Sequence, residues 1–537
     1  MNEHYPDKNC STLAAEQSIL TNLEASAKNT TPLLWKVKEP FEADRKDGVF
    51  ALVVFVLGFY FARWVMFSWQ GWGVTLFTLA YCGAVTLYLV KKGVHIPRAG
   101  WVWLIVVVLT GISFSLWTNN GLEPWRSLFL FGSAIYWVIC AAGLPILGKT
   151  SNFIGLDGFN GLFVIPFQNF GCQYKSLAVL SKQRAAGRQI VSIALGLFLT
   201  LMVAAMVLPL LLKADSGGFS QLTSGVLDYL QRMRLGEYLF NVVLAIPIAA
   251  YLFGLVAGSA HQRGCDLFKD GNTQKAISNL QVLPAVTGYT LLGLLCSLYV
   301  LFIGSQLPYF FSAFVGERPE GWQVYSEYAR SGFFELCSIA AINLSVLMVV
   351  NLLSLKLCRD SKVLKILNSL LAILTLILIA TAMSKMAMYI GAYGLSMRRL
   401  LPCFFMIFLA VICGGVVALQ KWHFSIARLA VGVGVVMLCT LCLLDTDSLV
   451  ARYNAERYLS GTLNSFDVEI LYRSGPAGVD SALNVYTQTK DQALQAELKK
   501  YLLAQQQKAA QISGQSKDNL QWARVRQRDY SFLPNMP

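Results

Sequence analysis

The chain has 537 residues and a formal net charge of +14; 55% of its residues are hydrophobic and only 14% are charged. Soluble domains carry about 25% charged residues, so the charged fraction is low. The high apolar content excludes a disordered chain, a collagen-like fibre and a small disulfide scaffold. The apolar residues come in blocks of about 20, the length that a helix needs to cross the hydrocarbon layer of a membrane. We therefore predict an all-α protein, a polytopic helical transmembrane bundle.

The apolar blocks predict about eleven membrane spans, each poor enough in charge to cross a bilayer. In chain order they cover residues 50–67, 70–90, 101–117, 127–147, 189–212, 238–258, 285–305, 332–355, 363–384, 400–420 and 426–444. Small residues spaced four apart, such as Gly254 and Gly258, let neighbouring helix backbones approach closely. Such pairs indicate packing rather than chemistry.

Two polar tails flank the predicted transmembrane domain 50–444. The N-terminal tail 1–49 mixes acidic and basic residues and has no short apolar core, so we expect no cleavable signal peptide. Its residues 12–26 have the apolar spacing of an amphipathic helix, although a frayed tail fits equally well. In the C-terminal tail 445–537, the spacing predicts helices over 450–459 and 480–503, and the polar stretch 505–517 is expected to be flexible.

Lys and Arg residues near the span ends predict the orientation, because cytoplasmic loops carry an excess of both. One face has 19 such residues and the other has 11. This bias places the N-terminus in the cytoplasm and, with eleven spans, the C-terminal tail outside. Most of the positive charge then faces anionic lipid, so the predicted partner is the lipid bilayer, with a second membrane protein as a further candidate. Nucleic acid is not a predicted partner, because no basic stripe lies on a soluble module.

Three short patterns resemble chemical sites, and a structural interpretation fits each of them better. Residues 143–150 match the phosphate-binding pattern G-x-x-x-x-G-K-[ST], but a predicted span precedes them and their middle residues are apolar. Cys439 and Cys442 form a C-x-x-C pair deep in the last span. His261 and Cys265 have helical spacing without further converging ligands. We predict no metal, no cofactor and no catalytic residue, and we favour a protein that is not an enzyme.

Ionisable residues near the outer ends of the later spans form the strongest candidate binding site, because burying such groups unpaired is costly. The candidate residues are Glu335, Lys385, Arg398, Arg399, Arg330 and, deeper in the membrane, Asn343. Two interpretations remain open: a polar vestibule at the outer mouth of the bundle, or snorkelling side chains with one salt bridge. The neighbouring loop 306–331 is rich in aromatic residues and is expected to be re-entrant or to lie at the membrane surface.

Four segments resemble the signatures of one family. They are YSEYARSGFFEL at 325–336, YGLSMRRL at 393–400, DTDSLVARYNAERY at 445–458 and LQWAR at 520–524. They resemble domain of unknown function family 4173, an uncharacterised family of bacterial multi-pass membrane proteins. The resemblance covers about residues 285–530. It implies a multi-pass protein of the bacterial inner membrane and implies no activity.

Three functional hypotheses are compatible with the sequence. The best-supported one is a transporter or channel-like protein with the polar site at its outer mouth, which predicts a hydrated cavity reaching toward Asn343. The alternative is a non-catalytic membrane scaffold or sensor partner, which predicts a dry core with paired polar groups. A third hypothesis is an enzyme acting on a lipid-linked substrate. It is the weakest, since Glu335 is the only carboxylate predicted near such a site.

Overall fold

The computed structural model describes residues 41–146, 150, 153–182, 235–263, 283–315, 333–353, 361–422 and 424–530, together with four single positions between 196 and 207. Helices dominate this part of the chain, which confirms the predicted all-α class. Nine of the described helices are long and apolar enough to cross a membrane. The described residues are therefore those of a multi-pass membrane protein.

The helices of the bundle follow the predicted apolar blocks closely. They are α1 (Arg45–Tyr60, continued by a π-helical turn over Phe61–Val65), α2 (Gly71–Lys91), α3 (Arg98–Leu116), α4 (Glu123–Ala141), the short α5 (Ile154–Phe159) and α6 (Ile165–Gln168), α7 (Cys172–Lys182), α8 (Leu235–Ala260), α9 (Ala285–Val315), α10 (Phe333–Leu353), α11 (Lys362–Tyr393), α12 (Met397–Leu419) and α13 (Ile426–Leu443). Helices α9 and α11 extend well beyond the ends predicted at 305 and 384. The first part of the predicted surface loop 306–331 therefore continues α9, and its remainder lies outside the described residues.

The prediction of eleven spans is supported only in part. The predicted span 127–147 corresponds to α4, which is not among the nine apolar helices because its first turn carries Glu123 and Arg126. Nevertheless, α4 connects the two ends of the bundle, since the residue that follows it, Ala142, accepts a hydrogen bond from Gln262 at the far end. The predicted span 189–212 lies almost entirely outside the described residues.

Two apolar cores and one shared helix hold the described bundle together. The first core joins α1 to α4 with α7 and α8 and contains the buried Trp137 and Phe253. The second core joins α9 to α12 and contains Leu371 and Met406. Helix α13 packs against α12 on one side and α3 on the other, so it connects the two halves.

At the end of the bundle where the chain enters α1, a buried carboxylate joins three helices. Asp47 of α1 is fully buried and accepts hydrogen bonds from the Tyr88 hydroxyl at 2.6 Å and the Lys92 ammonium at 3.0 Å, both from the end of α2. The ring of His261, just after α8, lies 3.3 Å from the same carboxylate. Because a buried charge is tolerated only with such partners, we interpret this cluster as structural. Cys265, which the sequence grouped with His261, lies outside the described residues.

The last described residues, 446–530, form a small helical unit with its own apolar core, which we call the C-terminal unit. It contains α14 (Thr446–Leu459), α15 (Val468–Ser474), a 3₁₀ turn (Gly475–Gly478), α16 (Val479–Gln488), α17 (Gln492–Ile512) and α18 (Leu520–Gln527). The predicted helix 480–503 is in fact two helices, because the Asp491 carboxylate accepts hydrogen bonds from the backbone N–H groups that begin α17. The expectation of flexibility over 505–517 is wrong for its first half, where Gln505 is buried within α17.

Candidate functional site

The structure separates the residues of the predicted outer cluster. Glu335, in the first turn of α10, lies near enough to Lys385 of α11 to interact with it electrostatically. Arg398, in the first turn of α12, is exposed. Arg330 lies outside the described residues. The described part of the cluster therefore contains a Glu335–Lys385 pair and an exposed Arg398.

Arg399 has a structural role at the connection between α11 and α12. Its guanidinium donates hydrogen bonds to the backbone carbonyls of Tyr393, at 2.9 Å, and Gly394, which end α11. The same guanidinium lies over the Tyr389 ring, 4.2 Å from its centroid. Because the last carbonyls of a helix lack partners within it, an arginine in this position caps the helix.

Asn343, the deepest of the predicted site residues, is buried in a closed set of hydrogen bonds. Its side-chain oxygen accepts a hydrogen bond from the Tyr299 hydroxyl of α9 at 2.7 Å. Its amide nitrogen donates to the Thr375 hydroxyl of α11 at 2.9 Å. Since Asn343 is fully buried and paired on both sides, it joins three helices and is not open to water.

We expect Tyr299→Phe to lower the free energy of unfolding by about 1 kcal/mol, because it leaves the Asn343 oxygen buried without that donor. The midpoint of thermal unfolding, measured on the purified protein in lipid nanodiscs, reports the change. Ser338→Ala is the matched control, since that exposed hydroxyl donates only to a carbonyl of its own helix. Equal midpoints for both variants would contradict a closed network around Asn343.

The phosphate-loop pattern at 143–150 does not form a phosphate site in its described part. The backbone N–H of Ile146 donates to the Asp157 carboxylate at 2.9 Å. The hydroxyl of Thr150 accepts from the Tyr136 hydroxyl at 3.3 Å. A phosphate cradle needs free backbone N–H groups, and a carboxylate at this position would repel the phosphate. Across the described residues, no group of three or more His, Cys, Asp or Glu side chains could hold a metal ion.

A different polar region emerges where the C-terminal unit meets the bundle, and we call it the seam. It comprises residues 71–73, 117–126, 390–395 and 443–445 on the bundle side, and 446–447, 454–457 and 516–521 in the C-terminal unit. Four of the segments that precede or follow bundle helices thus contact the C-terminal unit. The seam joins parts of the described chain that are distant in sequence through polar contacts, and we treat it as the candidate functional site.

The start of α2 forms the first contact of the seam. The backbone N–H groups of Trp72 and Gly73 donate to the carbonyls of Asp518 and Ser516, each at 2.9 Å. The first N–H groups of a helix have no partner within it, so the C-terminal unit supplies their acceptors. Gly71 has a positive φ of 73° and lies directly against the backbone at residue 517, where a side chain would clash.

The connection between α3 and α4 lies at the centre of the seam. The backbone N–H of Thr118 donates to the side-chain oxygen of Gln521 at 2.8 Å, and the Thr118 hydroxyl accepts from Asn519 at 3.1 Å. Gln521 in turn donates to the Asp445 carboxylate at 2.6 Å. The side chain of Asn119, fully buried, donates to the Leu444 carbonyl at 3.0 Å. These bonds connect the end of α3, the end of α13 and α18.

Arg126, in the first turn of α4, stabilises the connection between α3 and α4. Its guanidinium is fully buried and donates to the carbonyls of Ser113 at 3.4 Å, Trp117 at 3.0 Å and Thr118 at 2.8 Å. It lies over the Phe114 ring, 4.0 Å from the centroid. Because these carbonyls end α3, the arginine both caps that helix and fixes the backbone that the C-terminal unit contacts.

Two carboxylates lie inside the seam. Asp445 caps the start of α14 by accepting from the backbone N–H of Ser448, and burial raises its pKa above the ordinary value. Asp447 is only 2% exposed and lies 3.4 Å from the backbone N–H of Gly121. Burial, aided by repulsion from Asp445, raises the pKa of Asp447 to about 7, although the Gly121 N–H partly opposes the rise. The seam therefore contains a carboxyl group that titrates near neutral pH.

The second half of α14 completes the seam at the end of α11. The side chain of Asn454 pairs with the backbone of Leu395, donating to its carbonyl and accepting from its N–H, both at 2.7 Å. Arg457 donates to the Gly391 carbonyl at 2.7 Å. Segment 445–458 carries one of the family-like signatures, but its contacts could not be predicted, because the partners lie more than 50 residues earlier in the chain.

Comparison with known protein families gives a match that covers most of the bundle and the start of the C-terminal unit. The model of the family described as Domain of unknown function (DUF4153) matches residues 104–485, which is more than half of the chain. The chain belongs to the DUF4153 family. The match includes α3 to α15 and thus the centre of the seam. The finer resemblance, to domain of unknown function family 4173, is not confirmed. No curated protein and no solved structure matches the chain.

Proposed function

We propose that this DUF4153 protein is a non-catalytic membrane scaffold or sensor, whose C-terminal unit lies on the extracytoplasmic side and binds a protein partner. The seam is the observation that carries this proposal. It joins the C-terminal unit to the ends of four bundle helices through hydrogen bonds, of which those at Thr118 are buried, so a partner bound to the unit would act on the bundle. The closed network around Asn343 supports the same choice, because a scaffold predicts a dry, paired core.

The C-terminal unit also offers a surface for a partner. Leu449, Tyr453 and Tyr472 are 49%, 37% and 44% exposed, respectively, although they belong to a unit with a well-packed apolar core. Exposed aromatic and aliphatic side chains on a polar unit are typical of protein-binding surfaces. We therefore propose that this apolar face, formed by these three residues, contacts the partner.

The excess of Lys and Arg on one predicted face supports an extracytoplasmic C-terminal unit in a bacterial inner membrane. The fold supports an odd number of spans before that unit. Helix α7 packs beside the start of α1, whereas Tyr238 near the start of α8 lies over Arg63 at the other end of α1. Residues 182 and 235 therefore lie at opposite ends of the bundle. This agrees with the proposed span at 189–212 and with a total of eleven spans.

A transporter or channel-like protein is the second candidate function. The observation that favours it is the Glu335–Lys385 pair near the mouth of the second half of the bundle. Ionisable residues at membrane depth mark substrate or ion pathways in many transporters. A pathway from this pair would lead toward Asn343, two helical turns deeper on α10.

Single cysteines in a cysteine-free background distinguish the two functions and test the orientation. Gln507→Cys lies on an exposed face of α17, and Gln521→Cys is the buried control in the seam. In intact cells, we expect a membrane-impermeant maleimide to label position 507 and to leave positions 521 and 343 unlabelled. Labelling at 343 would indicate a hydrated path and favour the transporter. Absence of labelling at 507, with labelling after permeabilisation, would contradict the proposed orientation.

A photoreactive amino acid at position 472 tests the partner itself. We expect one specific crosslinked protein in cells from position 472, and none from the exposed position 497 on α17. Crosslinks of equal intensity at both positions, or at neither, would contradict a partner on the apolar face.

A further inference from the structure

The first half of the bundle encloses an apolar cavity that neither the seam nor the outer cluster uses. Its volume is about 380 Å³, and it lies between the π-helical turn after α1, helices α2, α3, α4 and α8, and the segment around α6. Cavities of 300 to 1,000 Å³ hold small organic ligands, and an apolar cavity of about 150 Å³ already binds benzene. The cavity is therefore large enough for a ring with substituents.

The cavity opens to the surface of the bundle that faces lipid. Among its lining residues, Phe131 of α4 is 38% exposed and Phe167 of α6 is 61% exposed. Pro247, within α8, lies on the same rim and is exposed. A proline inside a helix removes one backbone hydrogen bond and displaces the neighbouring turn, which leaves space beside it. A ligand dissolved in the bilayer can thus enter sideways between α4 and α8.

The lining is rich in aromatic rings and contains one hydroxyl without a hydrogen-bond partner. Phe77 and Tyr81 of α2 both line the cavity, and their rings are stacked with centroids 6.0 Å apart. Tyr81 is 4% exposed, and its hydroxyl has no hydrogen-bond partner within the described chain. The second lining tyrosine, Tyr251, already donates to the Leu162 carbonyl at 3.0 Å. Tyr81 lines an apolar cavity, where a hydroxyl without a partner is costly, so the ligand is expected to supply an acceptor oxygen.

We propose that this cavity binds a membrane quinone or a closely similar lipid, a planar ring with acceptor oxygens and an apolar tail. The aromatic lining fits a flat ring, the Tyr81 hydroxyl fits a ring carbonyl, and the lateral opening fits delivery from the bilayer. Tyr81 lies midway along α2, at the depth of the hydrocarbon core. The ester carbonyls of a phospholipid lie at the membrane interface, so an acyl chain would leave this hydroxyl unpaired.

Photoaffinity labelling of the full-length protein in nanodiscs tests the proposal. The probe is an azido-substituted short-chain ubiquinone, decylubiquinone is the competitor, and labelled peptides are identified by mass spectrometry. We expect labelling of α2 and α4 peptides that decylubiquinone prevents. Ala134→Phe fills the cavity and should reduce this labelling about tenfold. Tyr81→Phe removes one hydrogen bond and should raise the half-saturating probe concentration about fivefold.

Leu128→Phe is the matched control, because Leu128 is 63% exposed on the same helix as Ala134 and does not line the cavity. It should label like the wild type. Unfolding midpoints of all variants establish that they fold, and Tyr81→Phe remains informative if Ala134→Phe does not. Labelling that neither variant changes would overturn the proposal. Prevention of labelling by oleate as effectively as by decylubiquinone, with no effect of Tyr81→Phe, would assign the cavity to an acyl chain and also overturn it.

Discussion

Arg126→Ala is expected to lower the free energy of unfolding by about 3 kcal/mol, because it removes three hydrogen bonds to carbonyl groups at the end of α3 and a large buried side chain. The guanidinium bonds to Ser113, Trp117 and Thr118 come from one fully buried group. Its loss should therefore disturb the seam as well as α3. The unfolding midpoint in nanodiscs measures the first effect, and cysteine accessibility at position 521 measures the second.

The control for this prediction is Arg452→Ala. The Arg452 side chain is 72% exposed and forms an ion pair with Glu456 one turn along α14, so its removal should leave the unfolding midpoint close to that of the wild type. Arg126→Lys, which keeps the charge but loses donors, should lie between the alanine variant and the wild type. A stability change for Arg126→Ala as small as that for Arg452→Ala would show that water replaces the guanidinium at the seam.

The positions of the bundle helices could be predicted from the sequence better than the contacts between them, for a physical reason. A membrane span is defined by local composition, and so α2, α3 and α13 begin and end within a few residues of the predicted positions. Helices α9 and α11 run further because their additional turns, beyond 305 and 384, carry polar or aromatic residues that still continue a helix. Composition alone does not separate such turns from a loop.

The seam could not be predicted because it depends on pairs of residues that are distant in the chain. Asp445 directly follows the last apolar block of the sequence, but its partner Gln521 is 76 positions later. Arg126 was counted only as a loop charge, although it is fully buried. A signal for it was present, since an arginine directly before an apolar helix has nearby carbonyl groups at the end of the preceding helix. No local rule identifies which of several such arginines turns inward.

Asn343 illustrates the same limit for the predicted binding site. Its type and depth correctly marked it as a polar group inside the bundle. Whether it faces a path or a neighbouring helix depends on Tyr299 and Thr375, which come from two other helices. The hydrogen-bond partners change the preferred hypothesis from a transporter toward a scaffold.

The stability of the seam is expected to fall as the pH rises from 4 to 7, because of Asp447. An unfolded aspartate has a pKa near 3.9, whereas burial raises that of Asp447 to about 7. Between these values the folded protein keeps a proton that the unfolded chain has released, so the contribution is present below pH 4 and is lost as the pH passes through 7. Three pKa units correspond to about 4 kcal/mol, and we expect roughly half of this after relaxation of the seam.

Asp447→Asn removes the ionisation and keeps an oxygen near the Gly121 N–H. We therefore expect this variant to match the wild type near pH 4 and to be more stable by about 2 kcal/mol at pH 7 and above, with a flatter dependence between them. Unfolding midpoints at several pH values test this. Glu497→Gln, at an exposed position of α17, should leave the wild-type dependence unchanged.

The outcome bears directly on the proposed sensor function. If the wild type loses stability between pH 4 and 7 and Asp447→Asn does not, the contact between the C-terminal unit and the bundle weakens upon ionisation of one carboxyl group. Cysteine accessibility at position 521 should then increase with pH in the wild type and stay low in Asp447→Asn. Parallel pH profiles for the two proteins would mean that Asp447 gains enough water or hydrogen bonds to ionise normally, and that the seam is a fixed joint.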